Sequence, residues 1–497
     1  MMNRRKFLYG AAGLGAVGLA ATMYQGTGFS EVISGKKLQM PPLLDATQSG
    51  RFELQAMAGS TDFTGRGSAP TIGFNQSYLG PTVRVKRGAV SAGISNAINE
   101  PVTVHWHGML IPGEQDGGPH QPIDSGESWS PELTITQPPA TIWYHTHIHG
   151  RTATQVHAGL AGIMQISDGR DGDRGLPNSY GVDDLTLVLQ DRRFDENGQM
   201  IYMQNMMDVM HGFTGDTMVI NGQVGSVASV PKGIVRLRLL NGSNARIYSL
   251  GMSDNREMHL IATDGGYLTA PVVLTQVQLA PGERIEILVD FSSGGDVSLV
   301  SGEDPNQGPG GMMGRFQQLR NFFSNSEFTI IPFVVDERIA STHDKIPDAL
   351  DGRELTMAGA ISTTRHLSLD MGMGPGMMMR GMMGGGMSDQ MTINGQSFDM
   401  NRINIEAKRG AVERWIIRND TLAHPFHIHG ALFQVVKENG QKPRPEHLGW
   451  KDTVLVEQET ELLVRFDHKA SREKPFMYHC HILEHEDAGM MGQFTVS

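Results

Sequence analysis

"EAKRGAVERWIIRND", residues 406–420, reads as two short β-strands that meet at a Lys-Arg-Gly corner. Its apolar residues recur at short intervals and Gly410 interrupts them, a pattern of strands rather than of a long helix. Two earlier stretches repeat the layout: "PTVRVKRGAVSAGISNAI" (81–98) and "VPKGIVRLRLLNGSNAR" (230–246), spaced about 150 and 175 residues apart. Self-similarity at such intervals predicts three copies of one domain. The rest of the chain agrees: "VTVHWHG", "SWSPELTI", "ATIWYHTH", "LTLVLQD", "RIEILVDF", "ELLVRFDH" and "QFTVS" are short apolar or alternating runs, most bounded by Gly, Pro, Asn or Asp. Long amphipathic helical patterns are scarce. The expected fold class is therefore all-β, with three β-sandwich or barrel domains at 40–170, 171–340 and 350–497. The stretch "DERIASTHDKIPDALDG" (336–352) has linker character.

A chain of 497 residues has room for two or three separate cores. Its net charge of −12 argues against nucleic acid as a partner, since phosphate binding needs a basic face. At the N-terminus, Arg4, Arg5 and Lys6 precede an apolar run from about Leu8 to Ala21 that is too short and glycine-rich for a membrane span. The paired arginines are similar to a twin-arginine export signal, expected at 1–28, so the export machinery is an expected partner and the periplasm the expected location. Exported proteins often carry disulfides, but Cys480 is the only cysteine.

That cysteine lies between two histidines in "MYHCHILEHEDAGMM" (477–491). Four His-x-His pairs occur in all: His105/His107, His145/His147, His427/His429 and His479/His481. Alternation along a strand projects both members of a pair to one side, so eight imidazoles can converge. Two pairs fall in the first expected domain and two in the third, which places the cluster between them. Cys480 must then point the other way, toward a second site. His424, His485 and Met490 stand at suitable spacing to join it, and Cys with two His and a weak axial Met is the ligand set of a blue-copper site. By the same alternation Trp106 turns away from its flanking histidines, and both it and Trp143 are expected in a core.

"HWHG", "HTH", "HPFHIHG" and "HCHILEHEDAGMM", together with "DGGP" and "GWKDTV", resemble the copper-binding motifs of the multicopper oxidase family over nearly the whole chain. The export signal and a Met-rich insert bring the resemblance nearest to its periplasmic copper-efflux, laccase-like branch. It implies three cupredoxin-like Greek-key domains and four copper ions. His424, Cys480, His485 and Met490 would hold the type 1 copper, and His105 and His427 the type 2 copper. His107, His145, His147, His429, His479 and His481 would hold the type 3 pair. Asp116 and Glu486 are the carboxylates expected to relay protons.

The insert, "MGMGPGMMMRGMMGGGMSDQM" (371–391), has nine Met and seven Gly among 21 residues and cannot build a packed core. Thioethers select Cu(I), so Met371, Met373 and Met377 are expected to gather cuprous ions, and the resemblance implies that Asp420 joins them in a site for substrate copper. Leu369 and Leu422 depart from the family pattern there. The resemblance thus implies a monomeric oxidase that takes electrons from Cu(I) or small aromatic reductants, reduces O2 to water and serves copper tolerance. The alternatives are a laccase-like phenol oxidase and a copper-sequestering protein. A copper-free cupredoxin scaffold used in cell division would be expected to have lost Cys480 or several histidines, and this chain has lost neither.

Overall fold

The computed structural model describes residues 35–306 apart from 205, 328–371 apart from 356 and 358, and 391–497. The expected signal at 1–28, Met373 and Met377 lie outside these residues. Among the described residues, no helix is long and apolar enough to cross a membrane.

The three echoing stretches become the same structural corner. In each, a first strand lies in one sheet and the next strand crosses into the facing sheet: Thr82–Lys86 to Gly88–Asn96, Ser226–Val230 to Ile234–Asn241, and Ile405–Ala407 to Val412–Asn419. The first strand of each corner pairs in parallel with the last strand of its unit, Ala161–Ser167, Phe328–Val335 or Met491–Val496. The second pairs in parallel with an early strand, Arg51–Thr61, Asp184–Phe194 or Ile361–Met371. Identical pairing in three places makes the protein three cupredoxin-like Greek-key sandwiches built on one plan.

Each sandwich has its own core. Phe52, Leu54 and Ala56 alternate inward along Arg51–Thr61, toward Val83, Val85 and Trp106 of the facing sheet. Leu237, Leu239, Ile285 and Ile287 fill the second core, and Trp415, Phe426, Phe466 and Phe494 the third. Three Asn-Gly pairs close tight hairpins: Asn221-Gly222, Asn394-Gly395 and Asn439-Gly440 all have positive φ at both residues. That is the turn whose twist matches the flanking strands, and Asn and Gly enter it at least cost.

The junctions between sandwiches are ionic. Where the first meets the second, Thr141 of the first donates to Glu286 at 2.7 Å and accepts from Arg238 at 3.0 Å. It does so against an ionic group of the second in which Arg238 also holds Asp184 and Arg236 reaches Glu286 and Asp171. Between the second and third, Arg284 holds Asp452 through both guanidinium amino groups at 2.7 and 2.6 Å. Lys451 lies 3.0 Å from both Asp264 and Glu283.

Candidate metal centres

The edge strand His105–His107 pairs with Ala140–His145 so that His105 faces His145 and His107 faces Trp143. Directly paired residues share a face, so these four rings lie together. Trp106, opposite Tyr144, points into the first core. Trp143 is buried as well, but on the histidine side: its ring stacks on His145 at 4.1 Å. In the third sandwich His427 faces His479, while Phe426 faces Cys480. The same alternation therefore sends His427, His429, His479 and His481 one way and His424 and Cys480 the other.

On the first face the eight imidazoles converge between the first and third sandwiches, all buried. His479 Nε2 is 3.3 Å from both His147 Nε2 and His429 Nε2. His107 Nδ1 is 3.4 Å from His145 Nε2, and the His481 ring centre is 5.0 Å from that of His107. His105 stacks on His429 at 3.8 Å and His107 on His427 at 3.6 Å.

The outer nitrogens are anchored. His105 Nδ1 lies 2.9 Å from the Asp116 carbonyl and His427 Nδ1 2.8 Å from the Asp452 carbonyl. An N–H donated to a carbonyl leaves the other ring nitrogen with the lone pair. In both rings that nitrogen, Nε2, is buried and without a hydrogen-bond partner among the described residues. Such an orphan costs about 1–3 kcal/mol unless something takes it up, and a divalent cation does so. Burial, and then repulsion from neighbouring imidazoles, pushes His145, His429 and His481 well below their ordinary value, and burial leads in lowering His427 to about 4. The rings are neutral and able to ligate. The donor set suits copper.

On the second face, His424 Nδ1 is 3.3 Å and His485 Nδ1 3.7 Å from Cys480 Sγ, and the two Nδ1 atoms are 3.2 Å apart. Met490 is fully buried beside them. Its carbonyl accepts from the Cys480 N–H at 3.0 Å and its N–H donates to the His485 carbonyl at 2.9 Å. Burial pushes the Cys480 thiol well up, so a thiolate there requires a cation. Two imidazoles, one sulfur and an adjacent Met fit a copper.

The carboxylates sit against the outer nitrogens. Asp116 Oδ2 lies 2.8 Å from His429 Nδ1 and 3.4 Å from His105 Nδ1. Glu486 reaches His479 Nδ1 at 3.2 Å and His147 Nδ1 at 3.4 Å. Nothing in the sequence "GWKDTV" gives Asp452 a role, yet its Oδ1 is 3.1 Å from His107 Nε2. Burial opposes its charge, but Arg284 and His107 hold its carboxyl well below the usual range. No local pattern marks Arg284, which meets Asp452 only through the fold. Asp487 is another residue the sequence did not single out, and it caps the helix Thr152–Ala158 by accepting from the Thr152 and Ala153 N–H groups. Asp420 is exposed, whereas Met371 is buried in the third core, paired across strands with Met391.

Multicopper oxidase family models match residues 56–171, 183–302 and 374–497. Cell division protein FtsP of Dickeya dadantii (strain 3937) is 38% identical over 462 residues, covering 92% of each chain. FtsP of Escherichia coli (strain K12) is 38% identical over 504 residues, covering all of this chain and 99% of that one. Among solved structures, the laccase-like multicopper oxidase CueO of Ochrobactrum sp., which has oxidase activity towards lignin model compounds, aligns with a TM-score of 0.85 at 42% identity. That alignment covers 93% of this chain and 100% of that one. The names of the curated relatives correct the functional expectation. The expected Cu(I)- or phenol-oxidising enzyme of copper tolerance, and the alternative of a copper store, are not supported by these relatives, which are named for cell division. The ligand motifs encode coordination, and coordination alone does not specify the process that it serves.

Proposed function

Because the chain belongs to the multicopper oxidase family, we propose that it is an exported protein of cell division that holds four coppers and keeps the oxidoreductase character of its family. The division role rests on the FtsP relatives. The copper reading rests on one observation: the twelve side chains His105, His107, His145, His147, His424, His427, His429, His479, Cys480, His481, His485 and Met490 are all present and buried in two adjoining groups. A one-electron reductant and O2 are the small-molecule partners the family suggests.

Bound copper would supply one-electron redox chemistry at the Cys480 group and at the histidine cluster. His424, Cys480, His485 and Met490 would hold the first ion, His105 and His427 the second, and His107, His145, His147, His429, His479 and His481 the remaining pair. Cys480 is covalently continuous with His479 and His481, so its sulfur and the cluster imidazoles are joined through the backbone. Asp116 accepts from His429 and orients its ring, and Glu486 lies 3.2 Å from His479 Nδ1 and 3.4 Å from His147 Nδ1, which places two carboxylates where protons can be held beside the cluster. Asp420 and Met371 stay outside this assignment, one exposed and the other in a core.

The test pairs metal analysis with cell length. The purified chain should carry four coppers, and a strain lacking it should divide late and grow as elongated cells that the wild-type gene restores. Normal length in the deletion strain would overturn the division role. Full rescue by a copper-free variant would overturn the need for metal.

A further inference from the structure

Among its described residues the second sandwich supplies no ligand to either group, yet it grips both histidines of the Cys480 site. His485 is fully buried, and its outer nitrogen Nε2 meets the Met210 carbonyl at 3.2 Å. Met210 ends the short helix Met206–Met210 of the second sandwich. That segment is tied down from the third sandwich by Glu484, the residue before His485. The Glu484 carboxylate accepts from Tyr202 Oη at 2.8 Å, Asn244 Nδ2 at 2.8 Å and the Phe213 N–H at 3.0 Å. Asn244 also accepts the Leu483 N–H at 3.0 Å through its carbonyl. Both ends of the Tyr202–Phe213 segment are thus bonded to one carboxylate, with Met210 between them. On the other ring, Asn306 pairs with the backbone of Ala423, next to His424, through two bonds of 2.8 Å.

We infer that Glu484 is a positioning residue for the type 1 copper, acting through Met210 and His485. This rests on the copper reading above. The three bonds fix the Met210 carbonyl, and the Met210 carbonyl fixes the ring plane of His485 and its tautomer, with Nδ1 left toward the sulfur. An outer acceptor also makes the imidazole a stronger donor, which favours the oxidised ion over the reduced one. Loosening the clamp should therefore weaken the site and raise its reduction potential. The histidine cluster, which lies on the opposite face of the strand, should be untouched.

The experiment compares copper-loaded wild type, Glu484→Gln and Tyr202→Phe by visible absorption, electron paramagnetic resonance and redox titration. Tyr202→Phe deletes a single hydroxyl and leaves the carboxylate in place, so it reports even if Glu484→Gln does not fold. The expected result is a shifted, weaker thiolate band, a raised type 1 potential and roughly 10-fold weaker retention of that one copper in Glu484→Gln. Tyr202→Phe should move each readout in the same direction by less, with the cluster signals constant in both. Folded variants whose band and potential match wild type would overturn the inference. A wild type with no thiolate band would instead overturn the copper reading beneath it.

Discussion

Replacing Arg284 with methionine isolates the ionic junction between the second and third sandwiches. The guanidinium is almost fully buried and holds Asp452 through two bonds of 2.7 and 2.6 Å, with Asp264 Oδ1 3.4 Å away. Methionine matches much of the volume but removes the charge. Asp452 then stays buried against neutral imidazoles, while Asp264 keeps Lys451 at 3.0 Å. Removing one partner of a buried pair costs about 3–5 kcal/mol, because the other charge is left uncompensated. At roughly 2–4 °C per kcal/mol for domains of this size, the melting temperature of the copper-free protein should fall by about 6–20 °C. Neutralising the orphan should recover part of this. In Arg284→Met/Asp452→Asn the loss should be smaller than the sum of the two single losses by at least about 1 kcal/mol. The assay is urea and thermal unfolding of all four proteins at neutral pH, followed by tryptophan fluorescence and far-ultraviolet circular dichroism. A single-mutant shift under about 2 °C, or strict additivity in the double mutant, would refute the reasoning.

Three further outcomes are expected. Cys480→Ser should lower the copper count from four to three and abolish the intense thiolate band, as read by metal analysis and visible absorption; an unchanged spectrum would remove Cys480 from the site. Gly282 has a φ of 85° and a Cβ there would lie 2.9 Å from Cδ2 of His481. Gly282→Ala should therefore destabilise by about 1–3 kcal/mol and perturb the cluster's magnetic resonance signal, with a silent substitution counting against the packing described. His447 stands 2.8 Å from Glu438 and 3.3 Å from Glu283, contacts that raise it above its ordinary 6.5 against the effect of burial. Its stabilisation is complete below pH 6.5 and is lost as pH rises through the raised value, so His447→Gln should flatten the alkaline fall in unfolding free energy. On the acid side, Glu438 is lowered to about 2 despite burial, and its contribution is present above 4.5 and lost as pH falls toward that value. A variant whose profile parallels wild type above pH 7 would contradict the assignment.

The three echoing stretches were legible as repeats because a corner that crosses from one sheet to the other needs the same short strand, glycine or tight turn, and second strand each time. The His-x-His pairs were legible for a similar reason: period 2 along a strand fixes which side chains share a face before any partner is known. Trp143 shows the limit of that rule. Alternation gives the parity of a residue but not what lies around it: two residues before His145 its ring shares the histidine face, and only the fold shows that it packs both against His145 and in an apolar cluster with Tyr78 and Leu483.

The sequence by itself determined the all-β class, the three copies and the two groups of ligand types, since each follows from local periodicity and residue chemistry. It could not set the physiological role, which the ligand motifs leave open and the FtsP relatives redirected. Tertiary structure alone decided what surrounds the ligands. Arg284 reaches Asp452 across 168 positions, and Tyr202 reaches Glu484 across 282. The energy of such contacts depends on burial and on geometry across a domain junction, and neither leaves a periodic trace in the chain.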